Sequence, residues 1–187
     1  MAKIKAIIFD LDGVLINSIP AHFAAYELAC QDFGIKINLE DYTKTTGLSW
    51  QKSIPIFTGI KNPDKIKEIH DKKNNYLKSC LNKAEPIDLM VDLLKFFRKK
   101  YLIAVATSAS EESTKLLIDK LKIRKFLNVI ITAKDVKNAK PNPEIFLLAA
   151  KKIGIEPKNC LVIEDSDYGI EAARKAMMNY IKISFSK

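Results

Sequence analysis

Two carboxylates two residues apart, Asp10 and Asp12, stand at the end of an apolar run and are followed at once by Gly13. The run, Ile4 to Phe9 with Lys5 its only charge, has the composition of a parallel strand buried on both faces. Two like charges at a strand end are costly to bury unless a cation offsets them. A bare Asp-x-Asp-Gly is also an ordinary polar turn. Three later polar clusters, Thr107-Ser108, Lys140 and Glu164-Asp165, weigh against that reading, because they follow later strands and all four can converge on one point.

Each cluster brings a chemistry of its own. A carboxylate in the position of Asp10 can attack phosphorus and split one hard displacement into two easier ones. Glu164 and Asp165 follow the apolar run Leu161-Val162-Ile163. Two more acids at the same mouth repel unless a cation sits among them, and hard oxygen ligands of this kind suit Mg²⁺. The competing reading, an acid that caps the next helix, is better served by Ser166 or Asp167. Thr107-Ser108 end another apolar run just before a helical segment, where a hydroxyl and backbone N–H groups can cradle a phosphate. Taken alone, such a pair is most often only a helix cap. Lys140 lies in Ala139-Lys140-Pro141-Asn142-Pro143-Glu144, whose prolines leave the lysine stem little freedom. A positioned ammonium beside Asp10 would hold the carboxylate and a phosphoryl charge together.

The elements that must position these groups alternate in type. After the first strand, about Lys3 to Phe9, residues from Ile19 to about Asn82 have a helical pattern with no strong strand candidate. Ala21, Ala24, Ala25, Leu28, Ala29 and Phe33 recur at helical spacing up to Gly34. Helices follow at about Leu39 to Thr45, Ser49 to Phe57 and Asp64 to Leu81. Beyond Pro86 comes a helix with Leu89, Leu93, Leu94 and Phe97 on one face. Strands are then expected at Leu102 to Ala106, Asn128 to Thr132, Cys160 to Ile163 and Tyr180 to Ile183. Between them lie helices at Glu111 to Leu121, Glu144 to Ile153 and Tyr168 to Met177. This alternation predicts an α/β fold, a doubly wound parallel sheet. Its core is discontinuous, residues 1–16 and 85–187, with a helical cap, residues 17–84, inserted after the first strand. Ligands of such sheets bind at the carboxyl ends of the strands, where the strand order switches.

The segment Phe9-Asp10-Leu11-Asp12-Gly13-Val14-Leu15 resembles the first motif of the haloacid dehalogenase superfamily of phosphotransferases. The closest branch is the β-phosphoglucomutase-like phosphatases. Thr107 is similar to the second motif, the Lys140-Pro-x-Pro-Glu frame to the third, and Ile163-Glu164-Asp165-Ser166-x-x-Gly169 to the metal-binding motif. The resemblance covers nearly the whole chain. It implies a five-stranded Rossmann-like core with an α-helical cap, and a Mg²⁺-dependent phosphatase acting on a small phosphomonoester through an aspartyl-phosphate. Asp10 would be the nucleophile and Asp12 the general acid/base, its backbone carbonyl also serving the metal. Asp10 and Asp165 would be the firmest side-chain ligands, with Glu164 direct or through water, and Ser108 and Ala109 would add backbone donors. A β-phosphoglucomutase-like phosphosugar mutase is the alternative, and an inactive binding protein of the same fold is a third reading.

In the cap the signal thins. His22 is shared with many relatives, where it supports movement of the acid/base; a partly buried structural histidine is the competing reading. Gly47-Leu48-Ser49-Trp50 resembles the cap specificity loop, but Trp50 stands where phosphoglucomutases of this branch carry an arginine. That exchange removes a bidentate grip on a second phosphate. Trp50 could stack on a ring-like leaving group or simply pack the cap's own core. Lys73-Asn74 match the mutase-like cap pattern and could touch substrate, although a surface lysine is the commoner reading. Asn17 and Ile19 replace acids frequent just after the first motif. The two connections, near Leu15–Pro20 and Asn82–Pro86, should act as hinges.

Composition sets outer limits. The 187 residues, 48% apolar and 28% charged, are ordinary for one or two small globular domains. No apolar run reaches the roughly 20 residues that span a bilayer, and Met1-Ala2-Lys3 lead straight into the first strand, so neither membrane association nor a signal peptide is expected. Cys30, Cys80 and Cys160 are far apart and in no metal-ligand spacing, which suits reduced thiols and a cytoplasmic protein. The net charge of +9 comes from scattered lysines without a nucleic-acid-binding motif. It is expected to favour small phosphorylated metabolites rather than specific nucleic acid. A monomer is expected.

Overall fold

The computed structural model describes residues 3–184. The outermost residues of the expected core, 1–2 and 185–187, lie outside the described residues. The chain runs β1 (Ala6–Phe9), β2 (Ile16–Asn17), then the helices α1 (Ile19–Gln31), α2 (Leu39–Thr43), α3 (Trp50–Thr58) and α4 (Pro63–Cys80), and β3 (Glu85–Pro86). It continues α5 (Asp88–Phe97), β4 (Leu102–Ala106), α6 (Glu111–Leu121), β5 (Val129–Ile131), α7 (Glu144–Ile153), β6 (Cys160–Glu164), α8 (Asp167–Lys175) and β7 (Asn179–Lys182). Five strands form one parallel sheet in the order β5-β4-β1-β6-β7, with Phe9 beside Val105 on one side and Ile163 on the other. The order reverses at β1. The carboxyl end of β1 is therefore the switch point of the sheet.

The apolar runs form central strands because both faces are covered. Ile7, Phe9, Ile103, Val105 and Ile163 pack on one face with Met90, Val91 and Leu94 of α5 and Leu117, Ile118 and Leu121 of α6. Ala6, Ile8, Ala104, Ala106 and Val162 point to the other, against Phe146 and Ala149 of α7 and Ala172 and Ala173 of α8. This is the period-two alternation of strand side chains, with apolar residues in both registers. The first strand starts later than the expected Lys3. Lys5 is still tied to its neighbours, donating to the Asn159 carbonyl and accepting from Leu102 N–H, but the ladder proper begins at Ala6.

The segment between β1 and β4 departs from the expectation in one respect. Its two connections pair with each other, Ile16 opposite Pro86 and Asn17 opposite Glu85, as a short antiparallel ribbon. Two-residue strands carry too little pattern to be legible in a sequence. The helices of this segment have their own core, where Phe57 meets Tyr26 and Tyr42 edge to face and the two tyrosines tilt against each other, beside Ile54, Ile66 and Ile69. The sheet-proximal ends of α1 and α4 do not belong to it: Ala21, Ala24, Ala25, Leu77 and Cys80 share the apolar cluster of the sheet. Asn62 caps α4 by accepting from Lys65 N–H, and Pro63 sits where its missing N–H costs nothing. Among the described residues no helix is long and apolar enough to cross a membrane. Leu94 is fully buried between α5 and the sheet, so Leu94→Ala should cost about 2–5 kcal/mol in urea unfolding, with the slope of the transition unchanged.

Candidate active site

The loop after β1 is a tight reversal. The Leu11 carbonyl accepts from the N–H groups of Leu15 and Ile16, and Gly13 N–H returns to the Ile16 carbonyl. Asp10 therefore stays at the strand end, in ladder register through its N–H to Ile163, while Asp12 projects from the turn. Gly13 adopts φ +79°, a conformation open to glycine at no steric cost. A Cβ added there would fall 2.1 Å from Asp165 Oδ2, and one added at Gly169 would fall 1.8 Å from Glu164 Oε1. Two motif glycines are thus the space into which two carboxylates fit.

Lys140 is the only cation among the residues at the centre. Its buried ammonium lies 2.5 Å from Asp10 Oδ1 and 2.6 Å from Glu164 Oε1, above the ring of Phe146 at 5.0 Å. Glu164 is held from its other oxygen by Ser166 N–H at 2.7 Å and Ser166 Oγ at 3.0 Å. Ser166 also caps α8 by accepting from Gly169 N–H, as its place in the sequence suggests. One oxygen each from Asp10, Glu164 and Asp165 lie within 4.8 Å of one another.

The charges at this point do not balance. Burial pushes the Asp10 carboxyl well above the usual range; Lys140 opposes that shift, and Glu164, Asp165 and Asp12 add to it. Burial and then the Glu164 charge push Asp165 up to about 7. Glu164 is held low despite its burial, by Lys140 and the Ser166 bonds. A divalent cation between Asp10 and Asp165 would return both to the ionised form, so the donor set fits a hard, oxygen-seeking metal. Asp12 differs. Burial would raise its carboxyl, but hydrogen bonds from His22, Ser18 and Thr107 outweigh that and hold it at about 2. His22 Nε2 is 3.1 Å from Asp12 Oδ1, Ser18 Oγ donates to the same oxygen, and Thr107 Oγ1 is 3.1 Å from Oδ2.

A cavity of about 140 Å³, room for one small molecule, opens above the sheet. Asp10, Asp12, Thr107, Ser108, Ala109, Lys140, Glu164 and Asp165 line it from below, and His22, Gly47, Trp50 and Lys73 from the helical side. Ser108, expected as a backbone donor, also has a side-chain hydroxyl that is buried without a partner. Ala109 N–H, expected as a cradle donor, instead donates to Thr107 Oγ1 at 3.1 Å. Gly47 lies against Ser166, joining the helical segment to the sheet.

Three further expectations change. Lys73 is not a surface lysine: it is buried, its ammonium 3.2 Å from Ser113 Oγ, and burial lowers it to about 8. Asn74 does not line this cavity and stands behind it, bonded to His70, Ser110 and Ser113. Trp50 packs against the helical core, and it also lines the cavity. Sequence reasoning missed Ser18, His70, Tyr26 and Tyr42. Ser18 reads as the cap of α1, but its hydroxyl goes to Asp12 and makes no cap bond. The signal for His70 was present: His70, Lys73 and Asn74 share the buried stripe of α4 with Ile66, Ile69 and Leu77, where polar residues need a reason.

A model of the family described as haloacid dehalogenase-like hydrolase matches residues 7–183. Among curated relatives, a phosphorylated carbohydrates phosphatase of Thermotoga maritima is 28% identical over 92% of this chain and 81% of its own length. The fructose-1-phosphate phosphatase YqaB of Escherichia coli is 29% identical over 97% of both chains. Among solved structures, a β-phosphoglucomutase of Clostridium difficile superposes with a TM-score of 0.79 at 27% identity, covering 96% of this chain and 84% of its own.

Two outcomes follow from this geometry. Gly13→Ala should strain the turn and expel Asp165, weakening Mg²⁺ binding in calorimetry by about tenfold or more; unchanged affinity would remove Asp165 from the ligand set. The stabilising contacts of ionised Asp12 are fully present above the ordinary carboxylate pKa, near 4, and are lost as the pH falls toward 2. A carboxyl NMR titration should therefore place Asp12 below the ordinary aspartate range, and His22→Ala should move its midpoint upward.

Proposed function

The chain belongs to the haloacid dehalogenase-like hydrolase family, and from that premise we propose that it is a Mg²⁺-dependent phosphatase of small phosphomonoesters, sugar phosphates or similar metabolites. The observation that carries the reading is the meeting of Asp10, Asp12, Thr107-Ser108, Lys140 and Glu164-Asp165 in one cavity at the switch point of the sheet. Relatives named as phosphatases of sugar phosphates support the substrate class.

In this reading the Asp10 carboxylate attacks phosphorus and the bond to the leaving oxygen breaks, giving an aspartyl-phosphate. Lys140, paired with Asp10, holds the nucleophile in line and offsets charge on the transferring group. Asp12 protonates the leaving oxygen and then takes a proton from the water that hydrolyses the intermediate, which restores Asp10. A phosphoryl dianion close to Asp12 raises the pKa of that carboxyl and favours the protonated form it needs. Ser108 Oγ and the Thr107 hydroxyl face the phosphoryl oxygens. Asp10 and Asp165, with Glu164 direct or through water and the Asp12 carbonyl, would hold Mg²⁺, which when bound supplies electrostatic stabilisation of the phosphoryl group. Residues 17–84 act as a cap over a core of residues 1–16 and 85–187, with the ribbon of β2 and β3 as hinge, and close to exclude water. The protein acts as a monomer without nucleic acid.

The likeness to β-phosphoglucomutase supports a second reading, a phosphosugar mutase. Trp50 in place of a cationic grip weighs against it, since an indole cannot balance a second dianion. Phosphate release from a panel of phosphorylated metabolites, with and without EDTA, tests the phosphatase, and isomerisation of β-glucose 1-phosphate with a bisphosphate primer tests the mutase. Asp10→Asn should abolish turnover and phosphoenzyme together. Asp12→Asn should slow turnover by about 10²–10⁴-fold. Near wild-type activity of Asp10→Asn would overturn the nucleophile assignment, and no phosphate release from any substrate would favour a binding protein.

A further inference from the structure

The helical wall of the cavity holds a hydrogen-bond donor with nothing to donate to. Its direction follows from a chain of bonds behind the wall. Asn74 Oδ1 accepts from Ser113 Oγ at 3.2 Å, from Ser110 Oγ at 3.4 Å and from the Lys73 ammonium at 3.4 Å. The ammonium can only donate, which assigns the amide oxygen to that side and leaves the amide N–H₂ to face His70 Nε2 at 3.2 Å. His70 Nε2 accepts, so the ring hydrogen of the neutral imidazole sits on Nδ1. Burial and the charge of Lys73 hold the ring neutral, with a pKa of about 4. Yet Nδ1 is buried and has no partner, and the residue is only 8% exposed. The imidazole lies flat on the Trp50 indole, centroids 4.4 Å apart and planes 8° from parallel, and both residues line the cavity that Asp10 and Lys140 close from below.

Buried donors of native proteins are nearly always satisfied, so an orphan in the wall of a cavity calls for a partner that enters the cavity. We propose that His70 Nδ1–H, presented on the Trp50 stack, recognises an oxygen acceptor on an uncharged, ring-shaped leaving group: a hydroxyl, ring or carbonyl oxygen of a sugar-like monophosphate. This deepens the phosphatase reading and rests on it for the phosphoryl end. The aromatic pair offers a flat apolar face for a ring and one neutral donor for its oxygen. It offers no cation for a second phosphate, and the Lys73 ammonium beside it is engaged by Ser113 and Asn74.

Trp50 is the only tryptophan of the chain, so its fluorescence reports on this wall alone. The full chain carrying Asp10→Asn is titrated, with Mg²⁺, against a hexose 1-phosphate, phenyl phosphate and a hexose bisphosphate. Phenyl phosphate has the flat ring without the acceptor oxygens. The hexose monophosphate should bind about tenfold more tightly than phenyl phosphate, and the bisphosphate no more tightly than the monophosphate. His70→Phe keeps a ring on Trp50 and removes the donor, so the affinity ratio should fall to about one. His70→Gln returns an N–H and should restore part of it. An unchanged ratio in His70→Phe, an equal loss for all three ligands, tighter bisphosphate binding, or no fluorescence response to any probe would each overturn the assignment. Phosphate release by the wild-type chain is measured beside it. Absent release with an intact His70-dependent preference would sink the phosphatase reading and leave the recognition site standing.

Discussion

A lysine ammonium clamped between two buried carboxylates governs the architecture of the site. Lys140 arrives from the loop before α7, Asp10 from the end of β1 and Glu164 from the end of β6, and the ion pairs at 2.5 and 2.6 Å join these three segments at the switch point of the sheet. Removing one partner of such a buried pair costs about 3–5 kcal/mol, because the survivor is left charged and unsolvated. The clamp does not neutralise its surroundings. Asp165 and Asp12 remain beside it, and the excess negative charge drives Asp10 and Asp165 toward protonation, a balance that a divalent cation on these oxygens would reverse. Clustered like charges of this kind cost stability and are characteristic of functional sites.

The same clamp explains the small residues around it. Ala104 and Ala106 of β4 and Ala149 and Ala150 of α7 bring helix and strand close below the site, and Phe146 fills the space under the Lys140 ammonium. Gly13 and Gly169 are absent side chains whose volume is occupied by Asp165 and Glu164. Packing near native density leaves no slack for a methyl group at either position.

The architecture was legible where pattern length sufficed. Runs such as Leu102 to Ala106 and Leu161 to Ile163 have one reading, a strand covered on both sides, and the alternation with amphipathic helices leads to the parallel sheet. Asp10, Asp12, Lys140 and Asp165 were legible because acids and a proline-framed lysine at strand ends have few other uses. The ribbon of β2 and β3 was not, since two residues carry no periodicity and its pairing spans 68 to 70 positions of chain, Asn17 with Glu85 and Ile16 with Pro86. Lys73 was read as exposed because lysine usually is. What buries it is the polar interior that Asn74, Ser110 and Ser113 make between α4 and α6, a tertiary contact that no local pattern announces.

Asp12 is where the two halves of the cavity become dependent on each other. One of its oxygens is held from α1 and the residue before it, by His22 and Ser18, and the other from the end of β4, by Thr107. These bonds, not exposure to water, hold its carboxyl at about 2. Any displacement of α1 away from the sheet removes two of the three donors that favour the carboxylate and raises its proton affinity. Any displacement toward the sheet restores them. Burial and the neighbouring Lys73 depress the protonation of His22, against the pull of Asp12 itself. The position of the helical segment and the proton on Asp12 are therefore linked through His22 and Ser18, and the direction of that link follows from both of them favouring the carboxylate.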